Sequence, residues 1–438
     1  MNSKNINNIS EKFILTYFIL CILFSRAFVG IYVFNFRLGE LVIAFGLFFF
    51  IFSILQKNKI SNFNPVHKNV FILILVSFFI TLITTKELAN LFSDFLNPYT
   101  YKSSSYIWSL SFFILGLHFS KIKLSNFGVV VCELLIVSNF IFAIYGLPDF
   151  IESFFVNYSD KYELQKGSDI ALNFIVINYL IQRKYSYTKF SYIFLSLNAS
   201  LILPLALYKS RAAFISILVY VFYEVFQIYK KRLLLSKLNL VLLIPIFLIL
   251  SSSTYLSQTQ EYPEEVSAEI IANSYSGLGK YRLKHFQEEL PFLYFQDSRV
   301  YSGDGNLNWR LDMWQDMVDD LFSEKNTLLG FGYNEKFMVF QVDNTGYGNN
   351  RVGLDEKNEN LHNYFLNIFS RGGLVQLFLF LFFYFYCVKY YKSKIKDNKI
   401  IIYLFCLLFI SSFDSSMENS HYPLIFYYFL GNQFLKLK

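Results

Sequence analysis

The chain has 438 residues, of which 54% are hydrophobic, 20% are aromatic and 16% are charged. This composition excludes a soluble globular protein of the same length and predicts an all-α membrane protein with many spans. The formal net charge of +7 does not indicate a nucleic-acid partner, because the basic residues fall in short clusters between apolar runs.

The N-terminal stretch 1–12 is polar and rich in asparagine, and the apolar run that follows has no small-residue cleavage site. We therefore expect an uncleaved first helix. The cysteines all lie in apolar runs, so they indicate neither a disulfide framework nor a thiolate metal site. They are Cys21, Cys132, Cys387 and Cys406.

Apolar runs of about 15 to 22 residues predict spanning helices. By this criterion the sequence predicts about twelve. They lie at 13–33, 38–55, 69–85, 105–119, 127–147, 169–182, 190–207, 211–229, 238–256, 373–391, 400–413 and 422–435.

The loops between these runs alternate between basic ones and neutral or acidic ones. Lysines and arginines collect after the second, fourth, sixth, eighth and tenth runs. Because basic loops stay in the cytoplasm, both termini are expected there and the long segment 257–360 is expected outside. This divides the chain into helices one to nine at 1–256, an outer loop region at 257–360, and helices ten to twelve at 361–438.

The outer segment follows nine predicted spans and precedes three, and no internal repeat relates the two sides. Transporters with twelve helices usually consist of two similar halves with matching broken helices. The nine-plus-three layout therefore argues against a transporter or flippase, which we keep as the alternative function.

Within the outer segment, residues 307–323 have helical periodicity. One predicted face is apolar, the opposite face is acidic, and Arg310 shares the side of Trp314. The apolar face comprises Leu307, Leu311, Trp314, Val318 and Leu321, and the acidic face comprises Asp312, Asp316, Asp319 and Asp320. Asp316, Asp319 and Asp320 could hold a divalent ion, but their spacing fits a solvated helix face better.

Two glycine-containing stretches follow. Residues 328–334, with the sequence LLGFGYN, predict a tight turn that allows a close backbone approach. At residues 359–373, Asn360 is expected to cap a helix with His362 in its first turn. The helix dipole would there favour a neutral imidazole, which can act as a general base. The alternative is an interfacial histidine with a structural role only.

Arg211 follows a very short predicted outer turn and opens the eighth predicted span. An arginine at a membrane rim is costly unless paired, which favours a functional role over snorkelling to lipid phosphates. Arg310 could instead pair with Asp312 or Asp316, a contact worth little.

Two arginines suit a diphosphate, and a neutral histidine suits deprotonation of a sugar hydroxyl. The three residues together predict sugar transfer from a lipid diphosphate.

Four motifs resemble the O-antigen ligase and polymerase superfamily of bacterial envelope glycosyltransferases. They occur in the family's order, with the large periplasmic loop before the last helices, and the fourth is the most specific. They are SRAAF at 210–214, WRLDMW at 309–314, LLGFGYN at 328–334 and ENLHNYFLNIFSRGGL at 359–374. The similarity covers the part of the chain from Ser210 onward.

This resemblance implies a membrane glycosyltransferase of the GT-C type at the periplasmic face of the inner membrane. It implies an undecaprenyl-diphosphate-linked oligosaccharide as donor, without a metal, a nucleotide sugar or any other cofactor. Carried over by position, Arg211 and Arg310 would bind the diphosphate and the catalytic His362 would activate the acceptor hydroxyl. The acceptor would be lipid A core for a ligase, another lipid-linked repeat unit for a polymerase, or a protein hydroxyl. A polymerase, working among membrane lipids with a chain-length regulator, is slightly favoured.

Overall fold

A computed structural model describes residues 3–55, 65–84, 97–118, 124–160, 162, 165–185, 189–230, 293–296, 298–302, 305–340, 359–395 and 398–434. The first half contains these helices: α1 Ser3–Val29, α2 Leu38–Leu55, α3 Pro65–Thr84, α4 Pro98–Ser103, α5 Ser105–Trp108, α6 Ser111–His118, α7 Asn126–Tyr145, α8 Asp149–Tyr158, α9 Gly167–Tyr185, α10 Lys189–Lys209 and α11 Arg211–Lys230. The second half contains α12 Gly305–Ser323, α13 Tyr364–Lys394, α14 Lys399–Ser411 and α15 His421–Phe434.

The chain is an all-α polytopic membrane protein. Among the described residues, five helices are long and apolar enough to span a membrane: Val66–Thr84, Asn126–Tyr145, Phe190–Leu207, Arg211–Ile228 and Tyr364–Lys394. Helices occur at the other predicted runs too, except that the ninth, 238–256, lies outside the described residues. The only strands found in the described part form two ribbons, β1 Tyr32–Val33 with β2 Phe36–Arg37 and β3 Tyr294–Gln296 with β4 Arg299–Tyr301.

Helix α13 begins at Tyr364, nine residues before the predicted tenth run, and two other runs end early or are interrupted. The first helix ends at Val29 instead of residue 33, because the chain turns at Gly30 and Tyr32–Val33 pairs as a strand. The fourth run is broken between Trp108 and Ser111. Amides there donate to carbonyls three residues earlier, which tightens the turn and interrupts the α-helix.

The contacts divide the chain into two compact units. The first comprises Met1–Phe71, Ser105–Thr259 and Phe383–Lys438, and the second comprises Ile72–Ser104 and Gln260–Phe382. These units are defined by contacts within the fold. The three consecutive segments expected from the loop pattern concern membrane topology, and they stay a prediction. Each unit has its own interior.

Helix α15 forms the interior of the first unit, since every residue from His421 to Phe434 is buried. A helix buried on all sides must pack closely against its neighbours. A β-carbon added to Gly431 would lie 2.2 Å from the Phe113 carbonyl oxygen of α6, so the two backbones touch here. All four cysteines are buried as free thiols.

Polar side chains also join the membrane helices of the first unit. Asn173 of α9 donates to the side-chain oxygen of Asn139 on α7 at 2.9 Å. Asn198 of α10 donates to Asn178 of α9 and to Glu133 of α7, both at 3.2 Å. Hydrogen bonds of this kind hold helices together where hydrophobic burial gives no preference between helix and lipid.

Candidate active site

The second unit is built around α12. Its most buried side chains are Met313, Met317 and Leu321, and they pack with Phe337 and Leu361 in a small hydrophobic core. The predicted apolar face is therefore rotated: Leu307, Leu311 and Val318 are only half-buried. The helix is rotated because Met313 and Met317 pack against the loop that follows it, a partner that the helix sequence alone does not identify.

The acidic face of α12 is partly neutralised by Arg299 of β4. This guanidinium lies 3.2 Å from the Asp312 carboxylate and 2.6 Å from the Asp316 carboxylate. Asp319 is exposed. The prediction of a solvated face thus applies to Asp319, while two of its neighbours fix the β-ribbon to the helix.

His362 lies next to α12 and before α13. Its ring meets the ring of Trp309 in an edge-on contact, with 5.3 Å between centroids. The Trp314 indole donates to the carbonyl oxygen of Leu361 at 2.5 Å. Two tryptophans therefore attach the His362 segment to α12, and one of them is the residue before Arg310.

The prediction that Asn360 caps the helix is wrong. Helix α13 begins at Tyr364, and the cap is Asn363, whose side-chain oxygen accepts from the Leu366 amide at 3.0 Å. His362 has a φ of 51°, a left-handed conformation that cannot continue into a helix. The imidazole consequently lies outside the first turn of α13.

The glycine turn approaches another backbone closely, as predicted. Gly330 has a φ of 72°, and a β-carbon added there would lie 2.6 Å from the Arg371 carbonyl carbon. The Phe331 and Gly332 amides donate to the Ser370 and Arg371 carbonyls at 2.8 and 3.0 Å. The partner of the turn is therefore the first part of α13.

Helix α13 bends at Gly373, whose φ is 68° and ψ is −172°. At this bend the Leu374 amide donates to the Thr327 carbonyl at 2.9 Å instead of to a carbonyl in its own helix. Backbone hydrogen bonds lost at the bend are thus replaced by bonds from the loop after α12. The bend and the glycine turn form one connected structure.

Arg371 was not predicted to have a role, yet it is 2% exposed and organises this loop. Its guanidinium donates to the Gly332 and Glu335 carbonyls at 3.2 and 2.6 Å and to the Tyr99 hydroxyl at 3.0 Å. It also lies 3.7 Å from the centroid of the Phe337 ring. Both terminal nitrogens of this buried charge donate to oxygens and the guanidinium faces an aromatic ring, so Arg371 fixes the loop shape.

Glu359, at the start of the most specific motif, is held by two lysines. Lys102 lies 2.7 Å from one carboxylate oxygen and Lys336 lies 2.9 Å from the other. Burial raises the pKa of Glu359, but the hydrogen bonds from the two lysines outweigh it, and the pKa lies below its usual range. The ionised carboxylate thereby ties the motif to α4 and to the loop after the glycine turn.

This depressed pKa predicts a pH-dependent stability. Because the folded state favours ionised Glu359, its stabilisation is present above about pH 5 and is lost as pH falls through the lowered pKa. We expect Glu359→Gln to cost about 1 kcal/mol at pH 7, since the lysines are half-exposed. Thermal unfolding of the purified protein at pH 7 and pH 4 measures this.

The difference between wild type and Glu359→Gln should shrink at pH 4. Glu335→Gln, which removes an exposed carboxylate from the same loop, should change the unfolding midpoint little at either pH. A Glu359→Gln deficit that is equal at both pH values would contradict the assignment.

Arg211 lies in the first unit, where it is the first residue of α11 and is exposed. The preceding residue, Ser210, packs against Gly167: a β-carbon added to Gly167 would lie 2.4 Å from that of Ser210. Arg310 and His362 lie in the second unit. Arg310 and His362 thus lie on segments of the second unit that contact each other, and Arg211 lies at a helix start in the first unit.

Residues 196–381 match a protein-family model described as O-antigen ligase. This part of the chain is similar to the O-antigen ligase family. The match covers less than half of the chain, and it includes all four motifs, Arg211, Arg310 and His362. It confirms the resemblance to the O-antigen ligase and polymerase superfamily, and no curated protein matches the chain.

The matched region includes α11, the whole of α12, the glycine turn and α13 as far as residue 381. It therefore contains the contacts of the two tryptophans, those of Arg371 with Gly332, Glu335 and Phe337, and that of Glu359 with Lys336. An O-antigen ligase or polymerase type of enzyme is indicated in general.

Proposed function

We propose that the protein transfers a glycan from an undecaprenyl-diphosphate-linked donor to an acceptor hydroxyl at the periplasmic face of the bacterial inner membrane. The observation that supports this most directly is the attachment of the His362 segment to α12 through Trp309 and Trp314. It sets a potential base beside the helix that carries Arg310. The O-antigen ligase match supports the same class of reaction.

In this reaction the acceptor oxygen attacks the anomeric carbon of the donor glycan. The bond between that carbon and the phosphate oxygen breaks, and the lipid diphosphate leaves with the bonding electron pair. His362 takes the proton of the acceptor hydroxyl, as a general base does when its nitrogen reaches the hydroxyl. No metal or nucleotide is needed to balance these steps.

Arg310 and Arg211 would stabilise the charge that develops on the leaving diphosphate. A guanidinium presents a planar fork of donors that fits phosphate oxygens, and its charge is retained at every physiological pH. Donors aimed at developing charge contribute more in a site partly shielded from water. Arg310 is half-buried, so part of the bulk water is already excluded around it.

The left-handed conformation of His362 supports a functional role. Such a backbone conformation is uncommon outside glycine and persists only where the surroundings impose it. Here the neighbours are two tryptophan contacts on one side and the Asn363 cap on the other. They would hold the imidazole in one position while donor and acceptor exchange.

The membrane orientation proposed here follows the charge pattern of the loops. Both termini would lie in the cytoplasm, and the region 257–360 would lie in the periplasm. A lipid-linked donor would enter from the bilayer, and its polar head would meet the second unit. The acceptor would be a second lipid-linked repeat unit, with lipid A core as the other choice, and a chain-length regulator would be a further partner.

The test uses a strain without the chromosomal copy, complemented with wild type, Arg310→Gln or Arg211→Gln. We expect either variant to reduce transfer about 10²- to 10³-fold, the usual effect of removing one donor to developing charge. Envelope glycans are resolved on gels. A lost polymerase leaves lipid A core capped by one repeat, whereas a lost ligase leaves bare core and accumulated lipid-linked chains.

Two variants serve as controls. Arg310→Lys keeps the charge but loses the fork, and should recover part of the transfer. Lys325→Gln removes an exposed charge just beyond the end of α12 and should retain normal glycans. Unchanged glycans in the deletion strain together with blocked solute uptake would favour the transporter and reject the proposal.

A further inference from the structure

A small polar pocket lies within the first unit. It is located where two helices begin, since Ser168 and Asp169 belong to the first turn of α9 and His421 is the first residue of α15. Arg26 and Lys166 supply its positive charge. The remaining lining residues are Ser416 and Asn419.

The carboxylate in this pocket is already engaged on both oxygens. One Asp169 oxygen lies 2.8 Å from His421 Nε2, and the other accepts from the Lys166 amide at 3.2 Å. The second nitrogen of His421, Nδ1, has no protein hydrogen-bond partner among the described residues, although the side chain is only 3% exposed. A buried polar atom of this kind points to a ligand or a water molecule.

The pocket adjoins the start of α11. Gly167 precedes the Ser168–Asp169 pair, and it packs directly against Ser210, the neighbour of Arg211. Lys209 ends α10 at the same place. The positive side chains that line the pocket are Arg26 and Lys166, and they are opposed by Asp169 and by Asp414, which accepts from the Ser168 hydroxyl.

The geometry points to a binding site for one phosphate group, formed by Arg26, Lys166 and His421. Arginine and lysine are the usual phosphate-binding side chains, and the first turns of α9 and α15 add the positive ends of two helices. The phosphate would come from a lipid-linked substrate or headgroup, or from solution. Phosphate binding by the pocket is independent of the proposed function. Only the idea that the phosphate belongs to the lipid-linked donor rests on that function.

The test uses the full chain, purified in a neutral detergent, with inorganic phosphate as the probe. The parent protein carries Arg211→Gln and Arg310→Gln, so that the proposed diphosphate residues cannot produce the signal. We expect phosphate to raise the unfolding midpoint of this parent saturably, by about 2–4 °C at high occupancy. Sodium chloride of equal ionic strength gives the baseline.

Phosphate also stabilises proteins without binding, so the decisive comparison is between variants. Adding Lys166→Gln or Arg26→Gln to the parent should abolish the saturable rise, and Lys166→Arg should restore most of it. The matched control is Arg37→Gln, which removes a cation of the same unit that lies 3.2 Å from Asp160, outside the pocket. The proposal is overturned if phosphate raises the unfolding midpoint of the parent no more than chloride does. It is also overturned if phosphate raises the midpoints of the pocket variants as much as that of the parent.

A second arm identifies the source of the phosphate. The parent and its Lys166→Gln derivative are compared in nanodiscs of phosphatidylglycerol and of phosphatidylcholine. If the unfolding midpoints of the two proteins differ only in phosphatidylglycerol, the result supports the site and assigns it to lipid headgroups. If the midpoints differ in both nanodiscs only when phosphate is added, the result supports the site and assigns it to soluble phosphate. If the midpoints agree in every condition, the proposal is overturned. Normal transfer by Arg211→Gln and Arg310→Gln would reject the proposed donor site alone.

Discussion

Replacing His362 with asparagine should reduce glycan transfer about 10²- to 10⁴-fold, the range that a general base contributes. Asparagine adopts the left-handed conformation more readily than most residues, so this variant removes the imidazole with little backbone strain. The measurement is the initial rate of transfer by purified protein from a lipid-diphosphate donor. Membrane levels and unfolding midpoint should stay near those of wild type.

Two companion variants separate chemistry from position. His362→Gly also fits the backbone and should be as inactive as His362→Asn. Trp309→Leu removes the ring that contacts His362 at 5.3 Å between centroids, and should lower the rate less than loss of the imidazole does. If His362→Asn keeps a rate within about threefold of wild type, His362 is not the base, and its role is structural.

Gly373→Ala should be among the most destabilising single substitutions in the described part of the chain. Its φ of 68° and ψ of −172° belong to a region that only glycine occupies readily. In addition, the new β-carbon would lie 2.1 Å from the Leu328 carbonyl oxygen, so the loop would have to move. We expect a loss of about 3 kcal/mol or more, since strain and overlap add.

The chain offers a matched control at Gly146. This residue has nearly the same backbone conformation, with φ 77° and ψ −174°, but no atom lies within 4 Å of an added β-carbon. Gly146→Ala therefore measures strain alone, about 1–3 kcal/mol. Thermal unfolding in detergent and the yield of inserted protein compare the two. Equal losses for both variants would show that the contact with Leu328 contributes nothing.

The sequence allowed the class of fold to be predicted, because long apolar runs have few structural alternatives. The sequence did not locate the ends of helices at places where the backbone conformation of a single residue determines where the helix begins. At the most specific motif, Asn360 and Asn363 have the same capping chemistry, and the backbone of His362 determines which of them is used. The rotation of α12 toward Met313 and Met317 likewise depends on the loop that packs against it.

Of the site residues, Arg211, Arg310 and His362 could be chosen from residue type and motif. Arg371 could not, because its main partners are the backbone carbonyls of Gly332 and Glu335, which have no side-chain signature. Its position two residues before Gly373 is the one available signal, since a buried charge beside a helix bend needs oxygens nearby. The Asp169–His421 pair was missed for a similar reason: the two residues are far apart in sequence and carry no motif.

The burial of the four native thiols has a practical consequence for topology. Maleimide reagents react with accessible thiolates, and none of Cys21, Cys132, Cys387 or Cys406 is accessible in the fold. A single cysteine introduced at an exposed position, such as Lys325, would therefore be the sole labelling point in otherwise unaltered protein. Whether a membrane-impermeant reagent labels it in intact spheroplasts would report directly on which side of the bilayer α12 lies.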